Sequence, residues 1–282
     1  MPMHTRKSLL DHWEKQLLAG GVDSPRLSAQ VLLAHILGLP RLDMLLEIHS
    51  PVDESDRMRM DILGARRAIG EPVAYLTGTK EFYGFDFAVG PQVLIPRPET
   101  ELILDHMRET LDKNACLRAL DLGTGSGALA VSCAILFPFY EVVAMDISLE
   151  ALKIARKNAL AHNVAARVSF FQGDLAQALC ASSFDVIMAN LPYVPLNTKN
   201  TLSPEVVSYE PHVALFSGHD GLDCYRSLAE SLVGRMKTGT LLLCEIDCSQ
   251  GAAIKNLFSA SSKSVRILKD YSGHDRIAAV VF

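Results

Sequence analysis

The chain has 282 residues, of which 49% are hydrophobic and 21% are charged, and its net charge is −5. This composition excludes intrinsic disorder, because the apolar side chains are numerous enough to offset the entropy of the chain. No apolar run approaches the roughly 20 residues that a transmembrane helix needs, and the N-terminal segment lacks a signal-peptide core. The sequence therefore predicts a cytoplasmic protein without a membrane partner.

The distribution of charge argues against binding to a phosphate backbone. Residues 1–80 carry ten basic and ten acidic side chains, and the rest of the chain carries 17 basic and 22 acidic ones. A protein that holds duplex DNA or RNA through its phosphates normally needs a basic face, so no direct nucleic-acid partner is expected. The six cysteines form no CxxC pair and the nine histidines show no metal-binding spacing, which predicts free thiols and no metal site.

Residues 1–75 are predicted to form a bundle of short helices. Apolar side chains recur at helical spacing from Leu9 to Leu18. The pair Ser24-Pro25 is typical of a helix start with a capping side chain, and Gly38 predicts the end of that helix. Further helices are expected near residues 44–48 and 53–69.

The sequence after residue 79 predicts a β-hairpin and then alternating strands and helices. Residues 80–95 (KEFYGFDFAVGPQVLI) alternate β-forming with small or polar residues, which is typical of a β-hairpin. From residue 99 onward strands and helices alternate, which favours an α/β fold with a mostly parallel sheet covered on both faces. The expected strands are 119–122, 142–145, 168–171, 184–189, 241–246, 265–268 and 277–282.

The last two predicted strands have no clear helix between them. A crossover to a parallel neighbour needs such a helix, so these strands should be antiparallel. The predicted domain boundaries are 1–75 for the helical domain, 76–98 for the hairpin linker and 99–282 for the α/β domain.

A glycine-rich loop follows the first strand of the α/β domain and opens a helix. It reads Asp121-Leu122-Gly123-Thr124-Gly125-Ser126-Gly127, and its glycines let the backbone approach a ligand closely. Asp146 ends the second strand, 23 residues after Gly123, where an acid accepts hydrogen bonds from ribose hydroxyls. Gly173-Asp174 ends the third strand, where an adenine amino group is expected. The predicted cofactor-binding residues are Asp121, Gly123, Thr124, Gly125, Ser126, Gly127, Asp146 and Asp174.

NAD is one cofactor that could compete for this pattern. The spacing here is GxGxG, whereas the dinucleotide fingerprint is GxGxxG. The sequence D-L-G-x-G-x-G resembles motif I of the class I S-adenosylmethionine-dependent methyltransferases. That fold ends in an antiparallel strand, which agrees with the expected pattern. The resemblance implies a Rossmann-like methyltransferase domain and S-adenosyl-L-methionine as the cofactor.

A second candidate site, Asn190-Leu191-Pro192-Tyr193, ends the fourth strand. Asn and Pro are common in turns, so a plain turn is the alternative interpretation. Placed at the same sheet edge as the glycine loop, however, these residues suit methylation of a planar nitrogen. The lone pair of an amide nitrogen is delocalised, and acceptors for its N–H groups are available at the Asn190 side-chain oxygen and the Leu191 carbonyl. Tyr193 can pack against the flat substrate, so positioning and electrostatics should dominate catalysis.

The tetrapeptide is similar to the [DN]-[PIL]-P-[YFW] motif of amino-methyltransferases. Together with the helical N-terminal domain, the segment FYGFDFAVGPQVLIPRPETE and the GTGSG loop, it makes the whole chain resemble the PrmC/HemK family. That family methylates the glutamine side-chain amide in the Gly-Gly-Gln motif of class I peptide-chain release factors. The resemblance implies that Gly123–Gly127, Asp146 and Leu175 contact the cofactor and that Asn190–Tyr193, with Asn190 also beside the cofactor, hold the glutamine.

Two positions depart from the family pattern. Leu191 stands where the family usually has proline, and Leu175 stands where many members carry an aromatic residue after the acid. Direct roles for Arg97 and Glu99 are left open by the sequence.

The N-terminal domain is predicted to recognise the protein substrate. Every chemical motif lies after residue 90, and a Gly-Gly-Gln tip alone offers little of the area that a specific protein complex buries. The bundle could instead only shield an apolar face of the catalytic domain.

Alternatives to the release factor reaction remain. The same fold and cofactor would serve methylation of an exocyclic amine of DNA or RNA, or of a ribosomal protein glutamine. Two alternatives come from other functional classes: an NAD-dependent oxidoreductase and a non-catalytic cofactor-binding adaptor.

Overall fold

The computed structural model describes residues 4–174 and 184–282. It divides into two compact units, one of Met1–Thr79 with Ser203–Tyr209 and one of Lys80–Leu202 with Glu210–Phe282. The residue Leu175, predicted to contact the cofactor, lies outside the described residues. None of the described helices combines the length and the apolar character that crossing a bilayer requires.

The first unit is helical, as its apolar periodicity predicts. Thr5 begins the first helix through reciprocal hydrogen bonds with Ser8. Pro25 begins the second helix and Gly38 ends it with a φ of 64°, but the Ser24 side chain caps no described backbone group, so that detail of the prediction was wrong. The helices are α1 (Arg6–Ala19), α2 (Pro25–Leu37), α3 (Arg41–Leu46), α4 (Glu54–Ala68) and α5 (Val73–Thr77).

The core of this unit forms where apolar stripes of α1, α2 and α4 meet. Trp13 is buried, as expected, and packs directly on Gly64, where a Cβ would lie 2.4 Å from the indole ring. The helix Pro204–Tyr209 belongs to the same unit. The nearly buried Arg67 guanidinium forms a 2.7 Å ion pair with Glu205 of that helix.

A two-stranded hairpin follows the helix α5 in the chain and confirms the prediction for residues 80–88. Its strands are β1 (Thr79–Phe82) and β2 (Phe85–Ala88). Both turn residues have positive φ, 54° at Tyr83 and 79° at Gly84, as a tight hairpin turn requires. Residues 90–95 form no strand, because Gly90-Pro91 interrupts the alternating pattern.

The second unit is built on a seven-stranded sheet with the order β5-β4-β3-β6-β7-β9-β8. Strand β9 runs antiparallel to both β7 and β8, and the other pairs are parallel, which confirms the predicted antiparallel end. The strands are β3 (Arg118–Leu122), β4 (Glu141–Asp146), β5 (Val168–Gln172), β6 (Val186–Ala189), β7 (Leu241–Glu245), β8 (Ser264–Lys269) and β9 (Asp275–Val281).

Helices cover both faces of this sheet, because its central strands are apolar on both sides. All residues of β6 and β7 are buried, and two apolar clusters occupy the two faces. The longer described helices are Glu101–Thr110, Ala128–Leu136, Leu149–Ala161, Asp223–Leu232 and Gly251–Ser259. The strand order reverses at β3, between β4 and β6, and a ligand crevice is expected at the carboxyl ends of the strands there.

Candidate active site

A cleft with a volume of about 230 Å³ opens at the carboxyl ends of the central strands. It brings together both motifs that the sequence singles out, although they are far apart in the chain. Gly127 and Tyr193 are not among the described residues that line it. The predicted residues that do line the cleft are Asp121, Gly123, Thr124, Gly125, Ser126, Asp146, Asp174, Asn190, Leu191 and Pro192.

The three loop glycines occupy backbone conformations that other residues rarely adopt. Their φ angles are 71° at Gly123, 55° at Gly125 and 81° at Gly127. A Cβ at Gly127 would lie 2.9 Å from the Cβ of Ala155. The loop therefore needs glycine for its path, and at Gly127 also for the close approach of the helix Leu149–Ala161.

Asp121 precedes this loop, and only one of its two carboxylate oxygens has hydrogen-bond partners among the described residues. Its Oδ2 accepts hydrogen bonds from the Thr124 hydroxyl at 2.7 Å and from the Ala130 N–H at 3.1 Å. Its Oδ1 is buried and has no hydrogen-bond partner among the described residues. Burial raises the pKa of Asp121 to about 7. A cationic group in the cleft would supply the missing partner.

Asp146 holds the loop to the end of β4. One of its oxygens accepts from the Gly125 N–H and the other from the Ser148 N–H, both at 2.9 Å. Each carboxylate oxygen has further lone-pair capacity, so room remains for ligand hydroxyls. Burial raises the pKa of Asp146, and these N–H groups oppose the increase. The neighbouring Ile147 lines the cleft and is 56% exposed, which offers an apolar surface that the sequence reading did not use.

Asn190 is held by a residue from a distant part of the chain. Its Nδ2 donates to the Thr100 hydroxyl at 2.8 Å, and Thr100 lies in the turn Pro98–Thr100. The Thr100 hydroxyl donates in turn to Oε2 of Glu245 at 2.5 Å. The amide nitrogen is thus engaged by the protein, so the oxygen of Asn190 is the acceptor that remains for a ligand.

The other end of the tetrapeptide meets the same carboxylate. The Tyr193 hydroxyl donates to Oε1 of Glu245 at 3.0 Å. Burial raises the pKa of Glu245, and the Thr100 and Tyr193 hydroxyls and the charge of Arg276 oppose the increase. Burial together with the nearby Glu245 also holds the pKa of Tyr193 above its usual range, so its hydroxyl stays a donor. The predicted packing of Tyr193 on a substrate stays a prediction.

The middle of the tetrapeptide is anchored by packing. The Leu191 side chain is 3% exposed within the apolar cluster on this face of the sheet. The Tyr193 carbonyl accepts from Nε2 of Gln250 at 3.0 Å. A Cβ at Gly221 would lie 2.1 Å from that carbonyl, so glycine is required there.

The two residues whose roles the sequence left open lie in different surroundings. Arg97 forms a 2.5 Å ion pair with Glu210, whose side chain is 1% exposed and also accepts from the Ile95 N–H. This pair fixes the segment that carries Pro96 into the cleft wall. Glu99 is exposed in the turn before the helix Glu101–Thr110.

Thr100 and Glu245 were missed by the sequence analysis. Glu245 is a polar residue at the end of a buried apolar strand. The same pattern singled out Asn190 in the sequence, but it was not sought in the fifth strand of the α/β domain. Thr100 directly follows Glu99, and the sequence analysis considered the charged side chains of Arg97 and Glu99 instead.

Comparison with known proteins gives matches over nearly the whole chain. Residues 8–78 match the family model described as the PrmC N-terminal domain, and residues 98–208 match the one described as the Methyltransferase small domain. The hMettl16 catalytic domain in complex with MAT2A 3′UTR hairpin 6 aligns with a TM-score of 0.56 at 17% identity. That alignment covers 78% of this chain and 81% of the other, and it shows a shared fold.

Curated relatives extend the match to both units at once. The release factor glutamine methyltransferase of Nitratidesulfovibrio vulgaris is 40% identical, covering 96% of this chain and 93% of its own. That of Moorella thermoacetica is also 40% identical, covering 96% of each chain. That of Neisseria gonorrhoeae is 41% identical, covering 90% of this chain and 92% of its own.

Proposed function

The chain belongs to the release factor glutamine methyltransferase family, and we propose on that basis that it methylates a glutamine of class I peptide-chain release factors in the cytoplasm. The acceptor is the side-chain amide nitrogen of the glutamine in the Gly-Gly-Gln motif, and the methyl donor is S-adenosyl-L-methionine. Asn190 carries the proposal, because its amide oxygen is left for a ligand at the edge of a cleft built on the glycine loop.

The cleft suits S-adenosylmethionine. Oδ1 of Asp121, which has no hydrogen-bond partner among the described residues, fits a positively charged ligand, since a buried acceptor without a partner is costly. Asp146 would hold the ribose hydroxyls, and Ile147 with Asp174 would border the adenine. The glycine loop would admit the rest of the cofactor close to the backbone. When bound, the cofactor supplies a methyl group on a sulfonium, which is already an activated leaving group.

The residues of the tetrapeptide would prepare the acceptor nitrogen. An amide nitrogen reacts poorly because its lone pair is shared with the carbonyl. The Asn190 oxygen would accept one glutamine N–H and the Leu191 carbonyl the other, which directs the lone pair toward the cofactor side of the cleft. No strong base is required, because the protonated product loses its proton readily. Catalysis would then come from positioning and electrostatic stabilisation.

The helical unit would bind the rest of the release factor. Its basic and acidic side chains are balanced, which fits protein recognition better than phosphate binding. The helix α3 exposes apolar side chains, with Leu42 67% and Leu46 76% exposed. These side chains are available for contact with a protein partner.

Methyl transfer from labelled S-adenosylmethionine tests the proposal. The purified enzyme is given intact release factor in one arm and DNA or RNA in the parallel arm. We expect label in the Gly-Gly-Gln glutamine only. The proposed function is wrong if the nucleic acid is labelled and the release factor is not.

Asn190→Ala should separate catalysis from cofactor binding. Because the main partner of Asn190 is the substrate amide, we expect turnover to fall by about a hundredfold or more while cofactor affinity stays within about threefold. Single-turnover rates and calorimetry measure the two quantities. A folded variant that methylates release factor at the wild-type rate would exclude this role of Asn190.

A further inference from the structure

We propose that Thr100 and Glu245 are positioning residues that set the orientation of the Asn190 side-chain amide. The inference rests on the proposed function, because it explains how the acceptor oxygen of Asn190 comes to face the substrate. It adds two residues that act on the acceptor nitrogen through Asn190.

The direction of each hydrogen bond follows from the chemistry of a buried carboxylate. Glu245 is 1% exposed. The hydroxyls of Thr100 and Tyr193 and the charge of Arg276 favour its ionised form against the effect of burial on its pKa, and an ionised carboxylate only accepts hydrogen bonds. Its two oxygens therefore take the hydroxyl protons of Thr100 and Tyr193, at 2.5 and 3.0 Å. Each of these hydroxyls has then used its only proton, so its oxygen can take part in further hydrogen bonds only as an acceptor.

The hydroxyl of Thr100 transmits this direction to Asn190. Having donated its proton to Glu245, Thr100 can only accept at its oxygen. The partner it receives is Nδ2 of Asn190 at 2.8 Å. A reversed amide would place its oxygen against an oxygen that has no proton to offer. The carboxylate thus selects one of two amide orientations that differ little in shape.

This selection matters for the proposed reaction. In the orientation observed, Oδ1 is the atom of the Asn190 amide available to accept a substrate N–H. In the reversed orientation an N–H group would face the substrate N–H, and the acceptor would be lost. We therefore expect the chain of hydrogen bonds to affect turnover rather than cofactor binding.

The framework around Glu245 keeps the chain of hydrogen bonds in place. Ala189 and Cys244 are paired across β6 and β7, so Asn190 and Glu245 follow at the same level of the sheet. The Tyr225 hydroxyl donates to the Glu245 carbonyl. One buried carboxylate thus anchors both Asn190 and Tyr193, the two ends of the tetrapeptide.

The first measurement uses the full-length enzyme without cofactor. Side-chain amide protons of Asn190 are observed by NMR and assigned by their absence in Asn190→Ala. In the wild type one Nδ2 proton should exchange slowly with solvent, because it is held by Thr100. Thr100→Val, which keeps the shape but removes the hydroxyl, should accelerate that exchange by about tenfold or more, and Thr100→Ser should restore the protection.

The second measurement is turnover on release factor. Thr100→Val and Glu245→Gln should lower kcat by about tenfold to a hundredfold, with the affinity for S-adenosylmethionine within about threefold of wild type. Thr100→Ser should recover most of the kcat lost in Thr100→Val. Thr240→Val is the matched control, because it removes another fully buried threonine hydroxyl that donates to the Phe184 carbonyl. That control should alter neither exchange at Asn190 nor kcat.

The inference is overturned if Thr100→Val keeps both slow exchange and wild-type kcat, or if Thr100→Ser is as impaired as Thr100→Val. Thermal unfolding checks that each variant is folded, and the three threonine variants decide the question should Glu245→Gln fail to fold. A wild type that leaves release factor unmethylated would refute the proposed function instead. The exchange measurement would still decide whether Thr100 orients Asn190.

Discussion

Asp121 has hydrogen-bond partners among the described residues at only one of its two carboxylate oxygens. Its Oδ2 fixes the loop and the start of the following helix through Thr124 and Ala130. Its Oδ1 has no partner among the described residues, and burial raises the pKa of the group to about 7. The uncompensated oxygen makes the ionised form costly in the free protein. A cation bound in the cleft would lower that cost.

The affinity for S-adenosylmethionine should therefore depend on pH through Asp121. Below the pKa of Asp121, which burial raises to about 7, the free enzyme carries a proton there that a bound cation must displace. Binding should release up to one proton, and the dissociation constant should fall by several-fold as the pH rises from about 6 to about 8. Calorimetry in buffers of different ionisation enthalpy counts the released proton. Asp121→Asn should remove the dependence, and an unchanged slope in that variant would assign it to another group.

The helix Ala128–Leu136 shows how the cleft is shaped at the scale of an element. It begins immediately after Gly127, whose backbone has a φ of 81° and lies against the helix Leu149–Ala161. A Cβ there would be 2.9 Å from the Cβ and 3.0 Å from the Cα of Ala155. Because one of these atoms belongs to the backbone, relief would require the two helices to separate.

Gly127→Ala should cost more stability than its backbone conformation alone explains. Gly84→Ala is the matched control, since Gly84 has a φ of 79° and a Cβ there would meet no atom of the described residues within 4 Å. We expect about 1 kcal/mol of destabilisation for Gly84→Ala from the left-handed backbone. A further 1–3 kcal/mol or so is expected for Gly127→Ala from overpacking. Equal free energies of unfolding in urea for the two variants would show that the two helices separate without a loss of stability.

The sequence predicts those elements whose signals are local. Buried parallel strands appear as apolar runs, so the strands of the main sheet could be located to within about two residues. The helix Val73–Thr77 was missed: the last helix expected in the first unit ends at residue 69, whereas Pro72 begins a further short one. The helix Pro204–Tyr209 lies in a segment without clear periodicity. The contact between Thr100 and Glu245 joins residues 145 positions apart, and local patterns do not report such pairs.

At the scale of the whole molecule, the candidate active site belongs to one of the two units. All the described residues that line the cleft belong to the second unit. The first unit has its own core and includes the helix Pro204–Tyr209 from a later part of the chain. A Gly-Gly-Gln tip in the cleft would bury much less than the roughly 1,200–2,000 Å² of a specific protein complex. The missing contact area is what the proposed role of the first unit supplies.

Charged substitutions on the exposed face of α3 should test that role in the full chain. Leu42 and Leu46 are four positions apart in α3 and therefore share a face, and both are largely exposed, so replacing them with aspartate should leave the fold intact. We expect the Leu42→Asp, Leu46→Asp double variant to lower kcat/KM on intact release factor by about tenfold, mainly through KM. Leu160→Asp is the control, because Leu160 is 61% exposed on a helix of the second unit. A short Gly-Gly-Gln peptide should be an equally poor substrate for all three proteins, and cofactor affinity should be the same. If the folded double variant methylates intact release factor as well as the control does, this face of α3 is not where the protein substrate binds.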